Sequence, residues 1–161
     1  MPSDYYLMIK GIKGESQAAD MTDNIELESW SWGASNPAAL GGKGLAAGKP
    51  SLSDFTCSFA LEAGSPAMVK DLVTGAHIDS ATFTGRKTGG DGKPYKYLIV
   101  IMTSCFITGF NTGGGSSGVP PASLSIAYEK IDYQYFVQDT KSGAVSLAGR
   151  STYDIKQVQS T

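Results

Sequence analysis

The sequence predicts a mainly β single domain, a barrel or a two-sheet sandwich with one short helix inserted and long Gly-rich loops. Three observations predict it. Period-2 alternation with β-rich composition recurs near residues 4–10, 24–33, 52–62, 79–88, 95–109, 123–138 and 145–158. One segment alone has helix start and stop signals. Neither a second core pattern nor a linker interrupts the 161 residues, so the whole of 1–161 reads as one domain.

The alternation is clearest in the third segment. Phe55, Cys57, Phe59 and Leu61 share one face there, and Asp54, Thr56 and Ser58 share the other, so one side is core and the other is wet or at an interface. In 123–138 the apolar set begins on Leu124, Ile126 and Tyr128 and moves to Ile131, Tyr133, Tyr135 and Val137. That change of parity requires a bulge or a sharp bend near Glu129-Lys130. The run Tyr97 to Phe106 is apolar on both faces and is expected to lie between the core and another layer. That layer is the helix at about 65–74, with Ser65 as N-cap, Pro66 in the first turn, Gly75 at C′ and a buried stripe of Met68, Val69, Leu72 and Val73.

Two stretches fit no element and read as long loops: Ser35 to Pro50, rich in Gly and Ala, and Asn111 to Pro121, with Gly113-Gly114-Gly115. Charged residues make up 17% of the chain and glycines number 20, giving a lightly charged, loop-rich surface suited to self-association. A net charge of −2 provides no basic field for nucleic acid. No apolar run is long enough to span a bilayer, and Met1-Pro2-Ser3-Asp4-Tyr5 does not begin a signal peptide, so neither membrane insertion nor cleaved-signal export is expected. Cys57 and Cys105 sit in strand-like segments and are expected to be buried thiols in a reducing compartment.

Chemistry is sparse. Gly114-Gly115-Ser116-Ser117-Gly118 matches the nucleophile elbow of hydrolases, yet Val119-Pro120-Pro121 follows where that motif needs a helix. The single histidine, His77, stands just past the predicted helix and is expected to interact with its carbonyl end. Gly42-Lys43-Gly44 opens no helix and belongs to no βαβ unit, so it is no dinucleotide site, and one His with two distant Cys makes no metal site. Neither a catalytic set, a cofactor nor a metal is expected. Two other readings can be stated: a monomeric ligand-binding barrel whose pocket is framed by 35–50 and 111–121, and a hydrolase using Ser116 and His77.

Five patches occur in order across nearly the whole chain: Lys13-Gly14-Glu15-Ser16, Trp30-Ser31-Trp32-Gly33, Thr74-Gly75-Ala76-His77-Ile78, Arg86-Lys87-Thr88-Gly89-Gly90 and Lys130-Ile131-Asp132-Tyr133-Gln134-Tyr135. With them the chain resembles the haemolysin-coregulated proteins, the tube subunits of type VI secretion systems. It departs from the family pattern at Ala76, Tyr128-Glu129 and Thr152-Tyr153, which bears on C-terminal packing more than on fold.

The resemblance implies a closed or nearly closed barrel with a flanking helix, forming hexameric rings that stack into a tube for effector delivery and virulence. The implied partners are further copies of the chain, secreted effectors, and the spike and the sheath or baseplate of the apparatus. The tube is implied to assemble in the bacterial cytoplasm and to be secreted without a cleaved signal peptide. Within that expectation, 35–50 is a ring-stacking loop acting through Asn36, Leu40, Lys43 and Leu45. Strand alternation puts Trp30 and Trp32 on the packed side and Ser29 and Ser31 on the other, so Ser31 is expected to face the lumen and its cargo. That placement requires a bulge near Glu28, because Ile25 and Leu27 share parity with Ser31.

Overall fold

The computed structural model describes residues 3–41, 44–156 and 159–160. Its main sheet begins with β1 (Ser3–Ile9), which pairs antiparallel with β2 (Ile25–Leu27) on one side and with β9 (Ile78–Thr88) on the other. β9 pairs with β10 (Pro94–Thr112), and β10 forms a long hairpin with β11 (Pro121–Gln138). The first part of β11 takes β8 (Phe55–Ala60) as its second neighbour, and β8 takes β3 (Ser29–Ser31). β2 and β3 are one stretch of chain, bent at Glu28, so it reaches β1 with one half and β8 with the other. This closes the wall into a barrel and meets the requirement for an irregularity at Glu28. Ile25 and Leu27 remain buried while Ser29 and Ser31 turn outward.

The core is the set of inward side chains this closure brings together. Phe55, Phe59 and Phe83 are fully buried, and Phe83 packs against Tyr5, Trp30 and Phe55 with ring centroids 5.9, 4.6 and 5.3 Å away. Cys57 and Cys105 are free, buried thiols on β8 and β10.

The change of parity expected in β11 is present and is shared by its neighbour. Core-facing positions pass from Tyr128 to Ile131 in β11 and from Met102 to Cys105 in β10, and Ser104 adopts a left-handed φ of 54°. Thr103 pairs with Lys130 and Cys105 with Tyr128, so both strands turn together and keep their register. At this corner β11 exchanges partners. Before it β11 pairs with β8; from Lys130 onward it pairs with β12 (Val145–Asp154), whose end pairs with β13 (Gln159–Ser160).

The helix, α1 (Ser65–Thr74), packs against β10 as the both-sided apolarity of that strand predicts. Gly75 closes it in the left-handed conformation, φ 64°, its N–H directed to the carbonyls of Asp71 and Leu72. Two expectations are corrected. The N-cap is Gly64, and Ser65 instead accepts a hydrogen bond from the Glu62 N–H. The buried stripe narrows to Met68, with Ala67 and Leu72 against the core, while Val69 and Val73 face outward. A ten-residue helix lying on one strand has only one line of contact, so a four-residue stripe is wider than the surface available to it.

The largest correction concerns 35–50, which is not a featureless loop. β4 (Ala34–Ser35) pairs with β7 (Ser51–Leu52), and β5 (Ala38–Gly41) pairs with β6 (Gly44–Ala47). Together they prolong the β3–β8 ladder into a two-stranded arm. The other loop shortens to 113–120, because β10 and β11 run further than their apolar alternation does. Gly14 lies where a Cβ would stand 2.4 Å from the Asn24 carbonyl oxygen; the glycine lets 13–17 lie against 21–25, with the Gly14 N–H bonded to the Asp23 carbonyl at 2.7 Å.

Candidate functional site: a hydroxyl-lined wall and its arm

Alternation in β3, β8 and the first part of β11 sends the aromatic and aliphatic side chains inward and the small polar ones out. Two rows of the outer face follow from the register: Ser29, Ser58 and Ser123 in one, Ser31, Thr56 and Ser125 in the other. β10 extends them with Asn111 opposite Ser123 and Gly109 opposite Ser125. The hydroxyls of Ser29 and Ser58 bond each other, and the Ser31 hydroxyl lies 2.6 Å from that of Thr56. The wall thus carries no charge along these rows, and Asp54 at its margin accepts a hydrogen bond of 2.8 Å from the Thr108 hydroxyl.

The inner side of the same wall fixes the orientation. Trp30 stacks on Phe55, while Trp32 stacks on Tyr133 and donates its indole N–H to the Tyr128 hydroxyl, which donates to the Ser53 carbonyl at 2.7 Å. Burial raises the Tyr128 phenol above its ordinary value, and the indole donor partly offsets this. Held from behind in this way, Ser31 is exposed on the wall, as its parity predicted. Sequence reasoning put Thr56 and Ser58 on a wet face but did not connect them with Ser31 or with Ser123 and Ser125; only cross-strand register could do that.

The arm leaves the barrel at the Ser31–Thr56 end. Its base is closed by reciprocal bonds of Gly33 and Ser53, the Gly33 N–H to the Ser53 hydroxyl and the Ser53 N–H to the Gly33 carbonyl, each 2.9 Å. A second break follows at Pro37 and Gly48, where the Gly48 N–H bonds the Pro37 carbonyl at 2.8 Å. Of the four residues expected to stack rings, Asn36 is exposed at this break, Leu40 pairs with Leu45 across the hairpin, and Lys43 lies outside the described residues. Leu45 is 74% exposed, an aliphatic side chain with almost no cover from its own chain.

At the other end of the β3–β8 ladder is an open cleft of about 480 Å³, with Glu15, Glu26, Glu28 and Glu62 around Leu61 and Val119. A carboxylate oxygen of Glu15 takes the Ala63 N–H at 3.0 Å. Burial raises the Glu62 carboxyl above its usual range; a backbone N–H bond from Glu15 lowers it again in part, and the Glu15 charge raises it.

Features considered for catalysis do not assemble. Ser116 lies in the exposed 113–120 loop, and strand β11, not a helix, comes next. His77 places Nδ1 3.5 Å from an Asp79 carboxylate oxygen, so its partner is that carboxylate rather than the helix carbonyls. Among the described residues no hydrogen bond or ion pair joins His77 to Ser116, and no group of three or more His, Cys, Asp or Glu side chains is placed to hold a metal. Burial pushes the thiols of Cys57 and Cys105 up to about 12 and about 11.

The chain is thus a barrel with one flanking helix, a hydroxyl-lined wall and a projecting arm. The model of the family described as type VI secretion system effector, Hcp, matches residues 6–135, and the chain belongs to that family. The chain is 28% identical over 138 residues to the protein hcp1 of Pseudomonas aeruginosa strain PAO1, covering 83% of this chain and 85% of that one. A solved type six secretion system protein superposes with a TM-score of 0.90 at 21% identity, over 99% of this chain and all of the other. A type VI secretion system effector from Yersinia pestis does so with 0.73 at 26% identity, over 94% and 99%. The protein is therefore a type VI secretion protein of the Hcp family, a family of secreted proteins.

Proposed function

We propose that this chain is the structural subunit of the inner tube of a type VI secretion system, and that it acts without catalysing a reaction. Six copies close into a ring, and rings stack into a hollow tube. The tube assembles in the cytoplasm, engages the spike and the sheath or baseplate, and leaves the cell with effectors inside, without a cleaved signal peptide. The observation that carries this reading is the uncharged hydroxyl wall continuous with an arm on which Leu45 is left bare by its own chain. A wall of short, mutually bonded hydroxyls suits a bore through which different cargoes pass, and Ser31 is the residue assigned to cargo contact. The arm, with Asn36, Leu40, Lys43 and Leu45, is assigned to ring stacking. A head-to-tail interface of two different surfaces closes into rings or repeats along an axis, as such an assembly requires.

The test is particle mass by light scattering after size exclusion, with negative-stain images of the same fraction. Six-fold rings are expected, and Ser31→Gln is expected to leave the rings intact while changing which effectors they retain. A monomer at all concentrations would refute the assembly, and an unchanged effector profile would remove Ser31 from the cargo face. For the ligand-binding barrel, the cleft of about 480 Å³ takes Val119 from 111–121 and nothing from 35–50, and an apolar opening of about 410 Å³ is lined by Trp30, Trp32, Tyr133 and Ser151, outside both segments, so the two do not frame a pocket together in either place.

A further inference from the structure

Resting on the stacking role of the arm, we infer what receives it: the glutamate-rimmed cleft at the foot of the β3–β8 ladder in a second copy of the chain. Three observations converge. The first is charge. Between Glu28 and Asp54 there is no carboxylate, and the charged residues of that span are two lysines, Lys43 and Lys49. The cleft holds Glu15, Glu26, Glu28 and Glu62, and none of the described residues that line it is basic. The second is apolar cover. Leu45 is bare on the arm, and Leu61 and Val119, 37% and 65% exposed, lie in the cleft, so docking covers aliphatic surface on both partners.

The third is position. The arm leaves the ladder beyond the Ser31–Thr56 pair, and the cleft opens beyond Ser29–Ser58, where the Glu28 N–H bonds the Ser58 carbonyl at 2.8 Å. Arm and cleft thus stand at opposite ends of one ladder. A copy displaced along the ladder direction presents its cleft to the arm of its neighbour. The ten residue steps from Ser31 to Gly41 reach up to roughly 33 Å if extended, enough to cross from one barrel into the next. The surfaces are different, so the contact is head to tail and repeats without limit.

The test uses charge exchange in the full chain. Glu26 and Glu28 are exposed, and E26K/E28K/E62Q reverses the cleft, leaving two lysines against Glu15 alone; K43E/K49E reverses the arm. Each variant is expected to keep the parent's circular dichroism and ring mass, and to raise the protein concentration at which stacks form by at least about tenfold, because like charges then face each other six times per ring junction. Mixed together, the two variants are expected to stack again as alternating rings, since every junction then pairs opposite charges. A folding defect does not predict that recovery. Stacking of either variant at the parent's concentration, or failure of the mixture to recover it, overturns the inference and leaves ring formation standing. If the cleft variant does not fold, the arm variant read in the same way decides. Absence of rings in the parent protein is a different result, and it removes the tube reading itself.

Discussion

Replacing Phe83 by alanine tests the barrel core at its centre. Phe83 is fully buried and touches three other rings, so the change removes the transfer free energy of a whole phenyl group and opens a cavity among Tyr5, Trp30 and Phe55. Such replacements cost about 3–5 kcal/mol. Aromatic pairs add about 0.5–1.5 kcal/mol each beyond their area, which puts Phe83→Ala toward the upper part of that range. With a urea slope of about 2–3 kcal/mol per molar, the unfolding midpoint is expected to fall by roughly 1–2 M. Phe83→Leu, which keeps most of the volume, is expected to cost less than half as much. Tryptophan fluorescence follows the transition, because Trp30 lies against the altered site; parent and variants are compared at one protein concentration, since association adds stability that depends on it. A loss below about 1 kcal/mol for Phe83→Ala would refute the reasoning, for no closed aromatic cluster could lose its central ring so cheaply.

Four further outcomes follow from other parts of the molecule. The raised carboxyl of Glu62 means the folded state favours its protonated form, so ionisation opposes folding above the folded pKa and that opposition is relieved as pH falls through it; Glu62→Gln is expected to be at least as stable as the parent at pH 7 and to lose this pH dependence, and a less stable variant at pH 7 in urea melts would contradict it. Cys57 and Cys105 are expected to resist a thiol reagent at pH 8 until the protein is unfolded, and rapid labelling of the native protein would show that they are not held as described. Gly14→Ala is expected to destabilise by about 1–3 kcal/mol in thermal melts because the Asn24 carbonyl must move away, an effect that a stability within 0.5 kcal/mol of the parent would exclude. Arg150 grips Asp132 with two bonds, 3.0 and 2.6 Å, across β11 and β12; Arg150→Ala is expected to speed hydrogen exchange in β12 while leaving β1 and β9 protected, and equal protection throughout would remove the clamp from the account.

Much of the fold was legible because alternation is a local signal. Seven strand-like segments, the helix and its Gly75 stop could be read from spacing alone, and the required irregularity at Glu28 followed from the parity of Ile25 and Ser31. The misread parts depend on partners distant in sequence. Ala and Gly have weak β preference, so 35–50 looked structureless; it is ordered as strands by continuing a ladder whose register is set by β3 and β8. Val69 and Val73 looked buried because helical spacing says which residues share a face but not how much of that face a neighbour covers. Nothing in the sequence marks Arg86 as buried, yet it is, bonding the Ala19 carbonyl and the Tyr6 hydroxyl and lying over the Tyr6 ring; only the path of the 10–20 segment reveals this. At the candidate site, Ser31 could be placed on its face, but its hydroxyl neighbours could not.

The partner exchange of β11 has a mechanical consequence. β1 is bonded to β9 along its whole length and to β2 as well at Tyr5–Leu7, whereas β12 pairs with β11 over most of its length and with β13 only at Tyr153 and Asp154. Force drawn from the C-terminal end would meet these bonds one at a time and unzip β12, leaving the barrel closed behind it. Force drawn from the N-terminal end would meet the β9 ladder at Ser3 and, from Tyr5, the β2 ladder as well, in a strand whose Tyr6, Leu7 and Ile9 are buried. The molecule thus has a strong end and a compliant one, and a strand can detach at low load without rupturing the wall to which it was attached.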